Sequence, residues 1–262
     1  MLTKTYAIGD VHRRADLLEP LLLEIERHAD RIGVEPRVLF LGDIVDRGPD
    51  SRVCMDLVHT TIMKWPTSRL IRGNHDNYFL DFMTSKEPNP GRYERWFLEV
   101  GGASTMLSYG LLEAKSIREA AEVFRSHWPD HLELLRSSEY ILVDDTFAYV
   151  HAGISPLRGL DDQDPRDLMM IRDEFLSHEK PFSRIIVHGH TPTADLKPDV
   201  RPNRIALDTG AYASGRLSCF VAPGMSDSGY FLFSIANDDG RVKIAQEEVR
   251  SEMGRPSELA NY

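Results

Sequence analysis

Short apolar runs that end in polar clusters recur three times near the start of the chain. Residues 6–9 lead into Asp10, Val11 and His12. Residues 38–42 lead into Asp43, Ile44, Val45, Asp46, Arg47 and Gly48, and residues 70–73 lead into Asn74, His75 and Asp76. A brief apolar run closed by Gly reads as a strand ending in a turn. Between the first two runs, Leu17, Leu18, Leu21, Leu22 and Ile25 fall at helical spacing. Asp16 with Glu19 has the form of a capping box, and Pro20 falls early enough for the first turn. Between the second and third runs, Val53, Cys54, Leu57, Val58 and Ile62 make another apolar face, which Asp50 or Ser51 would cap. The order is βαβαβ. Right-handed crossovers make such strands parallel neighbours. Their polar ends then meet at one carboxyl edge, where open α/β sheets bind ligands. Asp10, Asp43 and Asn74, spaced by 33 and 31 residues, thereby fall in one site.

Residues 79–135 carry a different pattern. Tyr93, Trp96, Phe97 and Val100 share one helix face ending at Gly101-Gly102, and Ser116 with Glu119 opens a helix carrying Ile117, Ala120, Ala121 and Phe124. The stretch reads as a helical insertion beside the sheet, its aromatic stripe as core. Strands return after it. Runs 140–143 and 147–150 flank Asp144, Asp145 and Thr146 as a hairpin, and further runs cover 185–187, 205–207, 217–221 and 230–235. Asn237, Asp238, Asp239 and Gly240 turn the chain into 242–245. The expectation is one α/β domain over 1–248 with an insertion at about 79–135, followed by a polar surface tail at 249–262.

Composition narrows the classes. The 262 residues carry 31 Lys plus Arg against 41 Asp plus Glu, a formal charge of −10. That balance argues against a nucleic-acid partner, which calls for a basic footprint. Cys54 and Cys219 are too few for a disulfide framework or a four-cysteine zinc site. The N-terminus lacks a signal-peptide apolar region, and no stretch approaches the ~18 apolar residues of a membrane span. A cytoplasmic protein with no membrane partner is expected.

Candidate chemistry lies at the ends of the apolar runs. His151, His188, His190 and Asp208 follow the later ones. Asp, His and Asn without Cys suit hard or borderline ions such as Mn²⁺, Fe²⁺ or Zn²⁺. The donors exceed what one ion needs. A carboxylate shared by two ions would use them, and two-metal sites of that kind perform in-line phosphoryl displacement.

Gly9-Asp10-Val11-His12, the 42–48 motif and Gly73-Asn74-His75-Asp76 resemble three signatures of the phosphoprotein phosphatase family within the calcineurin-like metallophosphoesterases. The bacterial and lambda-phage-like Ser/Thr phosphatases are the nearest flavour. His151-Ala152-Gly153 and Gly189-His190-Thr191-Pro192 resemble its later metal motifs. The resemblance implies a four-layer sandwich of two mixed sheets flanked by helices. It implies Asp10 and His12 on a first metal, Asp43 bridging, and Asn74, His151 and His190 on a second. Two divalent ions are implied, Mn²⁺ foremost, with Fe or Zn open. Thr191-Pro192 favours the phosphoprotein phosphatase branch, because a His at 191 would mark the wider phosphodiesterases and nucleases.

The chemistry of the residues agrees. A bridging water loses its proton near neutral pH and can attack phosphorus in line. His75 is the candidate general acid for the leaving oxygen, and Asp46 would orient it. Arg47 offers a planar fork to phosphate oxygens, and Arg172 is the expected second arginine, ahead of Arg158 and Arg166. Arg13 stands where the first motif commonly has Gly and reads as an exposed rim charge, or as a loop or phosphate contact. Asp76 stands where many protein phosphatases carry Glu. Asp208 reads as a turn residue before a catalytic one, and His188 is open between structural and functional roles. The first functional expectation is a metal-dependent Ser/Thr protein phosphatase on a phosphorylated protein or small molecule. The alternative is a symmetrical bis(5'-nucleosyl)-tetraphosphatase, or another small-molecule phosphoesterase with the same core. A catalytically silent scaffold ranks lower because nothing expected is missing. A nuclease ranks lower still, given the acidic charge and Thr191. Substrate, native metal and oligomeric state are not legible.

Overall fold

The computed structural model describes residues 2–48, 50–224 and 229–249. Strand β1 (Thr3–Ile8) runs through helix α1 (Ala15–Ile32) to β2 (Glu35–Phe40), then through α2 (Ser51–Lys64) to β3 (Arg69–Leu70). The three strands are parallel neighbours, as the βαβαβ pattern requires. The third is shorter than its apolar run, since beyond Leu70 only Ile71 still pairs, in an isolated bridge to Glu139. After β3 the chain is helical through α3 (Asn74–Thr84), α4 (Pro90–Arg95), a π-helical turn (Trp96–Val100), α5 (Gly102–Ser108), α6 (Ile117–His127) and α7 (Pro129–Arg136). The helical stretch therefore starts at the Asn74 loop itself rather than at 79. The aromatic face over 93–100 is split between α4 and the π turn.

The hairpin of β4 (Ile141–Val143) and β5 (Phe147–Val150) follows, turned by Asp144, whose Oδ1 accepts the N–H groups of Thr146 and Phe147. Then come α8 (Pro165–Met170), α9 (Asp173–Leu176), β6 (Ile185–His188), β7 (Asp199–Arg201), β8 (Arg204–Ala206), α10 (Ala211–Ser214), β9 (Arg216–Val221), β10 (Tyr230–Ala236) and β11 (Val242–Glu248). The strands make two mixed sheets, β11-β10-β9-β1-β2-β3 and β4-β5-β6-β8-β7. Of the tail expected at 249–262, all but Val249 lies outside the described residues.

Period-two alternation builds the layers. Tyr6, Ile8, Val38 and Phe40 face the core shared with α1, α2 and the helical stretch. Ala7, Leu39, Leu41 and Ile71 face the other way, onto Phe147, Tyr149, Ile185, Val187 and Ile205 of the second sheet. Ala148, Val150 and Ile186 on that sheet's far side meet Leu168 and Phe175 of α8 and α9. The result is the expected sandwich of helices, sheet, sheet and helices. Leu17, Leu18, Leu21, Leu22 and Ile25 are buried along α1.

Three local expectations change. Helix α1 starts at Ala15, its first turn closed on the Arg14 carbonyl, so Pro20 lies beyond that turn and no capping box forms at Asp16. Asp16 instead pairs with the Arg14 guanidinium. Neither Asp50 nor Ser51 caps α2, because the Ser51 hydroxyl is drawn to Thr105. At α6 the capping pattern does form, with Ser116 accepting from the Glu119 N–H and Glu119 reaching back to Lys115.

Candidate active site

The turns after β1, β2, β6 and β8, with the start of α3, converge on one edge of the sandwich. They do so in strained backbone. His12, Arg13, Asp43, Asp46, Arg47 and His190 all have positive φ, between 41° and 72°, a conformation that L side chains hold only when surrounding contacts enforce it. Two glycines let the loops close. A Cβ on Gly73 would overlap the Asp43 carboxylate, and one on Gly189 would overlap that of Asp10.

Asp43 is at the centre. Its Oδ2 lies 3.6 Å from His12 Nε2 and 3.8 Å from His75 Nε2, and its Oδ1 lies 3.4 Å from His151 Nε2. Asn74 Oδ1 is 3.1 Å from the same His151 nitrogen. His12, Asp43 and His75 form one compact donor group, and Asp43, His151 and His190 form a second. Asp10 is buried beside them and takes the His190 N–H on its carboxylate at 3.0 Å. The sequence-predicted ligands Asp10, His12, Asp43, Asn74, His151 and His190 are thus brought together.

The donors suit divalent cations. His12 and His151 direct Nδ1 at the carbonyls of Val45 and Leu41, which leaves each Nε2 facing Asp43. Backbone carbonyls orient metal-binding imidazoles in this way. Burial first, then the charges of Asp208 and Asp43, push the Asp10 carboxyl well up, with His151 opposing. Burial drives His12 down to about 3. Burial opposes charge on His151 too, yet Asp43 carries it up to about 10. The crowded carboxylates of Asp10 and Asp43 call for positive charge, which without metal falls on His151; divalent ions held by these donors would meet that demand.

His75 differs from the other imidazoles. Its Nδ1 bonds the Asp46 carboxylate at 2.7 Å rather than a carbonyl. Burial works against charge on this ring, but Asp43 and Asp46 outweigh it and raise its pKa. Asp46 is itself held by the helical stretch. Trp96 Nε1–H donates to its Oδ2 at 2.8 Å and the Thr105 hydroxyl to its Oδ1 at 2.6 Å. Sequence reasoning missed both residues. The available signal was the choice of Trp in a buried stripe, since an indole N–H in a core needs an acceptor.

Arg47 and Arg172 are exposed at the mouth. Arg47 stacks over the Tyr212 ring at 4.9 Å, and Arg172 Nε lies 3.2 Å from His190 Nε2. Arg158 and Arg166 are exposed. Arg13 is a correction. It is 1% exposed, covered by the loop at Gly48, and its Nε and Nη1 have no hydrogen-bond partner among the described residues. Closure of the 43–48 loop, whose Asp43 and Ile44 carbonyls take the His12 and Arg13 N–H groups, draws the guanidinium inward. Asp208 follows the turn reading, with Oδ1 on the Gly210 N–H at 2.8 Å. His188 packs edge-on to Phe175, outside both donor groups.

Residues 3–215, well over half the chain, match the family model for calcineurin-like phosphoesterases. The chain is 29% identical over 236 residues to bis(5'-nucleosyl)-tetraphosphatase PrpE (asymmetrical) of Oceanobacillus iheyensis, covering 82% of this chain and 87% of that one. It is 31% identical over 153 residues to the symmetrical bis(5'-nucleosyl)-tetraphosphatase of Legionella pneumophila (strain Corby), covering 58% of this chain and 45% of that one. A crystal structure provisionally assigned as a diadenosine tetraphosphatase superposes with a TM-score of 0.56 at 19% identity, over 94% of this chain and 97% of its own. At that identity the superposition speaks for the fold alone.

Proposed function

The chain belongs to the calcineurin-like phosphoesterase family, and from that premise we propose that it hydrolyses the phosphoanhydride chain of bis(5'-nucleosyl) tetraphosphates or related dinucleoside polyphosphates. The observation that carries the substrate is the relative aligned over 87% of its own length, whose name states that activity. Protein phosphoserine or phosphothreonine, expected first from Asp46-Arg47 and Thr191-Pro192, ranks second. The relatives named for dinucleoside tetraphosphate hydrolysis outweigh those two pairs.

In this reading Asp10, His12, Asp43, Asn74, His151 and His190 would hold two divalent ions. When bound, the ions supply Lewis-acid charge that offsets the phosphate oxygens and activates water. Arg47 and Arg172 grip non-bridging oxygens from the mouth, Arg47 held in place by Tyr212. His75 carries a proton on Nε2, keeps its Nδ1–H on Asp46, and gives the Nε2 proton to the departing phosphate oxygen. Mn²⁺ is the first ion to supply, with Fe and Zn as comparisons. The test is turnover of diadenosine tetraphosphate against a phosphothreonine peptide under each metal, with products separated. The reading expects the nucleotide to be preferred, giving two ADP for symmetrical cleavage or ATP plus AMP for asymmetrical. A preference for the peptide overturns it.

A further inference from the structure

We infer that Trp96 and Thr105 are positioning residues for His75, so that the helical stretch on the outer face of the first sheet completes the acid dyad. The inference rests on the proposed reading of His75 as proton donor. Its structural part stands on hydrogen bonds around one carboxylate.

Asp46 is 0% exposed, and both its oxygens are engaged. Oδ2 receives His75 Nδ1–H and Trp96 Nε1–H, and Oδ1 receives the Thr105 hydroxyl. The Thr105 oxygen in turn accepts the Asp46 main-chain N–H at 3.0 Å and lies 3.0 Å from the Ser51 hydroxyl. Thr105 therefore clamps Asp46 by side chain and main chain together. Rotation of the carboxylate about its own axis would break the Trp96 and Thr105 bonds at once, leaving buried donors unmet. With the carboxylate fixed, the imidazole has one orientation. Nδ1–H is anchored, and Nε2 faces the metal-binding cluster 3.8 Å from Asp43.

Packing alone does not account for these residues. Trp96 stacks on Phe79 and Phe82, a role a phenyl ring could fill, but only the indole offers Asp46 a proton. Gly102 lies flat against the indole, where a Cβ would collide with the ring, and Gly101 presses on the Arg47 backbone. One segment so sets both the acid's partner and the phosphate-gripping arginine. In the chemical step the Nε2–H bond breaks and an O–H bond forms on the leaving oxygen. The ring is left neutral, still donating from Nδ1.

The test uses the full chain labelled with ¹⁵N-histidine, as wild type, Trp96→Phe, Thr105→Val and Thr105→Ser. In wild type the His75 Nδ1–H is expected as a protected downfield resonance. It shifts or broadens away in Trp96→Phe and Thr105→Val and returns in Thr105→Ser. An unchanged resonance in both Trp96→Phe and Thr105→Val overturns the inference, and Trp96→Phe alone decides it if Thr105→Val fails to fold. A kinetic arm compares p-nitrophenyl phosphate with phenyl phosphate, whose poorer leaving group depends on the acid. Thr105→Val should lose about 10-fold or more in kcat on phenyl phosphate, far less on the nitrophenyl ester, with KM unchanged. Equal losses on both esters count against positioning. Absence of diadenosine tetraphosphate turnover in wild type defeats the functional reading, while the resonance still decides the positioning.

Discussion

The carboxylate of Asp76 accepts the main-chain N–H of Asp43 at 2.8 Å, so one acidic side chain sets the backbone of another. Its other oxygen takes the Ile44 N–H at 3.0 Å, and Oδ2 also takes that of Gly73 at 3.1 Å. Asp76 thereby ties the turn after β2 to the start of α3 across the site. Burial and the Asp43 charge push its pKa up to about 6, although these N–H groups pull the other way. Replacement by Ala should leave three buried donors unmet, at about 1 kcal/mol or more each. At roughly 2–4 °C per kcal/mol for a chain of this size, Tm should fall by about 6–12 °C in a thermal melt. Turnover should be lost with it, because the Asp43 backbone is no longer held. A variant with wild-type Tm and turnover would remove Asp76 from this role.

The glycines at the loop closures give a prediction about metal rather than stability. A Cβ on Gly189 would occupy the place of the Asp10 carboxylate. Gly189→Ala should therefore displace a ligand while leaving the sheets intact. Bound metal per chain, read by elemental analysis after equilibration with Mn²⁺, should fall below two, and the circular dichroism spectrum should be unchanged. Two ions retained would mean that Asp10 is not needed to hold them.

Tyr212 and Arg47 divide binding from chemistry. The tyrosine ring is 39% exposed, carries the Arg47 guanidinium on its face and meets His12 edge-on. Tyr212→Ala frees the arginine from its support, worth about 0.5–1 kcal/mol at an exposed site. KM for diadenosine tetraphosphate should then rise by roughly 2–5-fold, with kcat little altered. Arg47→Ala removes charge-assisted hydrogen bonds of about 1.5–3 kcal/mol, so kcat/KM should fall by roughly 10–100-fold. Steady-state kinetics on both variants distinguishes the two sizes of effect.

These residues also show where sequence reasoning reaches and where it stops. The convergence of Asp10, Asp43, Asn74, His151 and His190 was legible because each follows an apolar run, and crossover handedness leaves few ways to arrange parallel runs. Asp46 and His75 were legible from their neighbours along the chain. Trp96 and Thr105 were not, since a helical stripe reports which face is buried and not which atom within it finds a carboxylate. Asp76 stood out only as a replacement for the Glu of many protein phosphatases, and its bonds to backbone N–H groups depend on loop closure in space. Arg13 failed for the opposite reason. A cation next to a ligand reads as solvent-facing, but its direction is set by the positive φ at 12 and 13.

A last prediction concerns acid stability away from the site. His131 is buried between α2 and α7, with Nδ1 2.9 Å from the Tyr109 hydroxyl and Nε2 3.1 Å from Asp56 Oδ1. Burial lowers its pKa from 6.5, with Asp56 opposing and His59 adding to the fall. The unfolded chain therefore binds this proton more readily than the folded one does. Its contribution to stability is complete above about pH 6.5 and is lost as pH falls from there toward the depressed folded value. His131→Gln removes the titration while keeping polar atoms for both neighbours. Urea midpoints at pH 7.5 and 5.5 should drop more for wild type than for this variant. The difference between the two drops isolates His131 from the other buried histidines. Equal drops would show that the ring does not titrate between folded and unfolded states in that range.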